Sequence, residues 1–66
     1  MRITVNGEDV KLDGPCTVAE LLVRYNLHDK ACAVEVNGTL VTKRDHDRRS
    51  LGEADVVEIV TFVGGG

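Results

Sequence analysis

The residues with the clearest chemical potential are Gly64-Gly65-Gly66, which follow the apolar run Thr61-Phe62-Val63. Glycine has no Cβ, so a main chain built from it enters channels where any side chain would collide. A carboxylate on Gly66 is then a group that another protein's active site can reach and activate, with Gly64 and Gly65 as the thin segment behind it. The same glycines also read as a frayed terminus or a cloning remnant. The tail alone leaves both readings open, and the elements in front of it must decide.

Few other residues offer chemistry. Cys16 and Cys32 are the only cysteines and are too far apart for a Cys-x-x-Cys redox pair; with His28 and His46 they suggest no metal site. Reduced, buried or partly buried thiols are expected. The run Lys43-Arg44-Asp45-His46-Asp47-Arg48-Arg49 mixes signs that largely offset, so it reads as a solvated loop or short helical turn rather than a binding patch.

At 66 residues the chain is one domain near the lower limit for an unstapled core, too small for an internal catalytic cleft. No catalytic residue is therefore assigned within it, and it is expected not to be an enzyme. The net charge of −3 with interspersed signs argues against a nucleic-acid surface. Neither a secretory leader nor a membrane-spanning run is apparent, so a cytoplasmic protein without a membrane partner is expected.

Two hairpins frame the chain. Ile3 and Val5 precede Asn6-Gly7, and Val10 and Leu12 follow; Val34 and Val36 precede Asn37-Gly38, and Leu40 and Val41 follow. Asn-Gly tolerates the positive φ that a type I′ turn requires. Between the hairpins, Gly14-Pro15 breaks the second strand, Thr17 caps a helix, and Glu20 completes a capping box. Val18, Leu21, Leu22 and Tyr25 form one apolar stripe, Asn26 ends the helix, and Leu27 folds back on the core.

Leu51 anchors the end of the charged run, and Glu53-Ala54-Asp55 turns into a last strand from Val56 to Val63. Val57, Ile59, Thr61 and Val63 lie on one face of it, and Val56, Glu58, Val60 and Phe62 on the other, which reads as a central strand. The expected core is Ile3, Val5, Val10, Leu12, Val18, Leu21, Leu22, Val34, Val36, Val57 and Ile59. One helix covers only one sheet face, so Val60 and Phe62 are left for a partner. The expected organisation is a domain at 1–63 and a flexible glycine tail at 64–66.

This order of elements resembles the ubiquitin-like β-grasp, an α+β fold with a mixed four- to five-stranded sheet and one helix packed across one face. More narrowly, the chain resembles the ThiS family of thiamine-biosynthesis sulfur carriers. The matching segments are Ile3-Thr4-Val5-Asn6-Gly7-Glu8, Thr17-Val18-Ala19-Glu20-Leu21-Leu22, Ala33-Val34-Glu35-Val36-Asn37-Gly38 and Val57-Glu58-Ile59-Val60, followed by Val63-Gly64-Gly65-Gly66. Two positions depart from the family pattern. His46 stands in the charged loop where an aromatic residue is common, and Glu53-Ala54-Asp55 stands where Asp-Gly-Asp is common.

The resemblance implies that the first and last strands run parallel side by side, and a chemistry for the tail. A ubiquitin-activating-type adenylyltransferase using ATP and Mg²⁺ adenylates the Gly66 carboxylate, a persulfide-bearing sulfur donor displaces AMP, and the resulting thiocarboxylate gives its sulfur to thiazole synthase. The chain itself binds no cofactor and is monomeric when free. Val60, Phe62 and Val63 form the docking surface, and Gly64 and Gly65 thread the tail. Rival functions are a molybdopterin-synthesis sulfur carrier, a protein modifier joined to lysines through the same adenylate, and a β-grasp interaction module whose tail is incidental.

Overall fold

The computed structural model describes residues 1–62; Val63, Gly64, Gly65 and Gly66 lie outside the described residues. Strands β1 (Arg2–Val5) and β2 (Glu8–Lys11) form the first hairpin, and β4 (Cys32–Val36) and β5 (Thr39–Val41) the second. Both Asn-Gly turns take the expected left-handed backbone, with φ of 50° and 84° at Asn6 and Gly7 and 52° and 84° at Asn37 and Gly38. The last long strand, β7 (Val56–Thr61), lies between β1 and β4 in a five-stranded sheet of order β2-β1-β7-β4-β5. It runs parallel to β1 and antiparallel to β4. A parallel pair requires a long crossover, and the intervening helix and second hairpin supply it.

Helix α1 (Val18–Arg24) starts at the expected capping box: the Glu20 N–H donates to Thr17 Oγ1 at 3.1 Å, and the Thr17 N–H donates to Glu20 Oε1 at 2.8 Å. It ends in a Schellman motif, with Asn26 at φ 63° and the Leu27 N–H donating to the Leu22 carbonyl at 2.7 Å. The apolar stripe is one residue shorter than expected. Tyr25 is the C-cap, with non-helical ψ of 4°, so its ring leaves the stripe and stays 37% exposed while Leu27 turns back toward the core.

Every residue expected in the core is buried except Val10, which is only partly buried because β2 is an edge strand. Val41 and Leu51 join the core. Leu51 belongs to a second, two-stranded sheet that the pattern did not predict, in which β3 (Cys16–Thr17) pairs with β6 (Ser50–Leu51). Strands so short are set by long-range contact rather than by local pattern. The final strand also stops earlier than expected, at Thr61, although the Phe62 N–H still donates to the Ala31 carbonyl at 3.0 Å.

The charged run forms a single 3₁₀ turn over Lys43–Asp45, followed by a segment that is not wholly solvated. His46 is only 9% exposed; its Nε2 lies 3.1 Å from the Val41 carbonyl, and its own carbonyl accepts the Ala19 N–H at 2.8 Å. An imidazole that hydrogen-bonds the backbone can occupy a core edge at which the expectation placed a solvated side chain.

Candidate functional site

The candidate site is built outward from β7, the strand that leads to the tail. Alternation sends Val57 and Ile59 beneath α1, at 0% and 7% exposure. Val60, at 57%, is open to solvent, and Val56 and Glu58 are exposed with it. Cross-strand register extends this open face: Val60 pairs with Ala33, Glu58 with Glu35, Glu35 with Leu40, and Val56 with Thr4. The result is an apolar surface from Val60, Ala33 and Leu40 beside two carboxylates that sit directly opposite each other. Like charges so placed repel and weaken the sheet, and a cationic partner would relieve that repulsion.

Phe62 is 60% exposed, one residue past the strand end. It also borders a hollow shared with Leu22, Lys30, Cys32 and Lys43, which places it at the corner between the open face and the helix side. Val60 and Phe62 are thus both exposed near the end of β7. The remaining expected site residues, Val63, Gly64, Gly65 and Gly66, lie outside the described residues.

Two asparagines position β7 in a way the turn reading missed. The Asn6 amide brackets Ile59, donating from Nδ2 to its carbonyl at 3.2 Å and accepting its N–H through Oδ1 at 2.7 Å. This side chain supplies the next rung after β1 ends. Asn37 acts at the other end of the strand: its Oδ1 accepts the Val56 N–H at 2.9 Å, and its Nδ2 donates to Asp55 Oδ1 at 2.9 Å. The available signal was the choice of Asn in both turns, since only an amide supplies donor and acceptor together.

Asp55 completes this support, and its other oxygen accepts the Gly52 N–H at 2.7 Å. That backbone hydrogen bond holds the carboxyl below its ordinary pKa; burial opposes it, and the hydrogen bond from Asn37 and the charge of Arg49 add smaller lowering effects. Ala54 adopts φ 69°. An alanine there carries the steric cost that glycine avoids.

The Cys16 thiol offers no rival site. Burial, and then the charge of Glu20, raise the Cys16 pKa above its ordinary value against the opposing effect of Arg24, so the group is a protonated thiol at neutral pH. A thiol is a poor nucleophile beside a thiolate. Among the described residues, no three His, Cys, Asp or Glu side chains gather as metal ligands, and no helix is long and apolar enough to cross a membrane.

A helix laid across a mixed sheet with parallel first and last strands defines the ubiquitin-like β-grasp class. The family model described as the ThiS family matches residues 3–66, and the chain belongs to that family. It is 40% identical to the sulfur carrier protein ThiS of Bacillus subtilis over 65 residues, covering 97% of this chain and 98% of that one. The crystal structure of the thiamine biosynthesis protein ThiS from Geobacter metallireducens superposes with a TM-score of 0.84 at 33% identity, over 100% of both chains. A thiazole synthase of Paramagnetospirillum magneticum is 33% identical over 66 residues, which are 100% of this chain but only 20% of that protein.

Proposed function

We propose that this chain carries sulfur for thiazole formation in thiamine biosynthesis as a thiocarboxylate on Gly66. The observation that carries the reading is the end-to-end family match, which includes the glycine tail. The thiazole synthase relative supports the destination, since a segment like this chain there occupies part of a longer protein with that name.

The chemistry follows from the carboxylate. An α-carboxyl has a pKa of about 3.5, so at neutral pH it is ionised and inert to nucleophiles. A ubiquitin-activating-type adenylyltransferase with ATP and Mg²⁺ overcomes this: a carboxylate oxygen attacks the α-phosphorus, pyrophosphate leaves, and an acyl-adenylate forms. The terminal sulfur of a donor persulfide displaces AMP, and a thiol reductant cleaves the sulfur–sulfur bond to release the thiocarboxylate. Tethering then delivers a reactive sulfur to thiazole synthase at high local concentration. The protein is a substrate throughout, without catalytic groups of its own.

Val60, Phe62 and Val63 dock the activating enzyme, while Gly64 and Gly65 thread its channel. The opposed Glu35 and Glu58 favour a basic group on the docking partner. The test is mass spectrometry of the chain after incubation with adenylyltransferase, ATP and a persulfide donor. The reading requires ATP-dependent exchange of one oxygen for sulfur at the terminus. Conjugation to lysines without free thiocarboxylate would replace it with the modifier reading.

A further inference from the structure

The helix side of the molecule carries a second surface, which the carrier chemistry uses only at its Phe62 end. Between α1 and the 3₁₀ turn lies an open hollow of about 480 Å³, floored by Ala19, Leu22 and Val23 and bordered by Lys43 and Arg44. A smaller hollow of about 180 Å³ shares Leu22 and Lys43 with it and adds Lys30 and Phe62. The shared residues make the two one trough, running from α1 to Phe62.

Two features identify what fits it. The floor is apolar and accessible, with Val23 exposed on the helix surface beside Leu22. The border is cationic: among the described residues, Lys30, Lys43 and Arg44 line it against one carboxylate, Asp47, in a chain whose net charge is −3. They are distributed over both hollows: Arg44 borders the larger, Lys30 the smaller, and Lys43 both. A compact phosphate wants its donors converging on one point, whereas an extended chain with spaced carboxylates and an intervening apolar side chain matches spaced cations over an apolar floor.

We infer that this trough is a docking groove for an acidic, apolar peptide segment of a protein partner. The trough lies on the helix side and meets the docking surface of the open face at Phe62, so a partner held here would lie next to an enzyme docked at Val60. The inference does not depend on the fate of Gly66.

The test is a nuclear magnetic resonance titration of the full chain with three probes: a short blocked peptide alternating leucine and glutamate, its glutamine counterpart, and AMP. The glutamate peptide is expected to give saturable shifts at Val23, Lys43 and Arg44, weakened about tenfold in the glutamine peptide and again by raised ionic strength. The double substitution Lys43→Glu and Arg44→Glu should weaken it about as much, tenfold or more, because both side chains lie at the exposed border. The ionic-strength series on the native chain tests the same point should that variant fold poorly. Equal affinity for the two peptides, shifts centred on Val60, no saturable shift at all, or tighter binding of AMP in the trough would each overturn the inference.

Discussion

Val57 and Val60 occupy the same strand and have the same side chain, yet one is wholly buried and the other is 57% exposed. The difference lies in what covers each face. Val57 and Ile59 share one core with Val18, Leu21 and Leu22 of α1, whereas Val60, opposite Ala33 in the sheet, stands outside that core. A central strand can thus serve stability on one side and keep apolar surface for a partner on the other. Removing methylenes should be costly to folding on the first face and costly to binding on the second.

The largest effect should come from the covered face. Ile59→Ala is expected to cost about 3 kcal/mol of stability, transfer and cavity terms together, which is a large share of what so small a domain possesses. Val60→Ala should change unfolding by less than about 0.5 kcal/mol. Denaturant unfolding of both proteins measures this, and equal losses would erase the distinction between the faces.

Phe62→Ala sharpens the same comparison through binding. It should weaken association with the adenylyltransferase by about 2 kcal/mol while leaving unfolding nearly unaltered, as expected of an exposed aromatic anchor. Calorimetric titration beside thermal unfolding separates the two, and a stability loss with intact affinity would make Phe62 a packing residue.

A smaller effect concerns the support at the start of β7. Because folding lowers the Asp55 pKa, its contribution is complete above the unfolded carboxyl value of about 3.9 and is lost as pH falls through the lower folded value. Thermal unfolding followed from about pH 5 down to about pH 2 should show this loss, and Asp55→Asn should flatten the profile in that window. An unchanged profile would remove Asp55 from the support of the strand. In the turn before it, Ala54→Gly should stabilise the protein by about 0.5 to 1 kcal/mol, because glycine adopts the observed φ of 69° without steric cost. A destabilised variant would show that the turn carries no such cost.

Much of the fold could be read from local signals. Asn6-Gly7 and Asn37-Gly38 marked both hairpins, Thr17 and Glu20 marked the helix start, and the two alternating sets of β7 marked a central strand with one open face. What escaped depends on distant partners. The pairing of Cys16–Thr17 with Ser50–Leu51 has no periodicity to betray it, and His46 looked like one more solvated group in a charged run until Val41 and Ala19 were brought to it. Tyr25 continued a helical stripe on paper, but the stripe gave way to the Schellman turn at Asn26. In the candidate site, the exposed Val60 followed from alternation, whereas Phe62, exposed but past the strand end, borders a helix-side hollow, and the Asn6 and Asn37 amides that hold β7 in place required the strand order to be known.

The central claim, that Gly66 is the sulfur-bearing residue, is tested most directly by mass spectrometry of three chains treated alike with adenylyltransferase, ATP and a persulfide donor. These are the native chain, a chain lacking Gly66, and a chain extended by one residue. Deletion withdraws the carboxylate by roughly 3.5 Å, and a displacement of even about 1 Å at a reacting centre can lower a rate a hundredfold. The account predicts thiocarboxylate on the native chain alone, with the same thermal unfolding for all three. Comparable thiocarboxylate on the deleted and extended chains would contradict it.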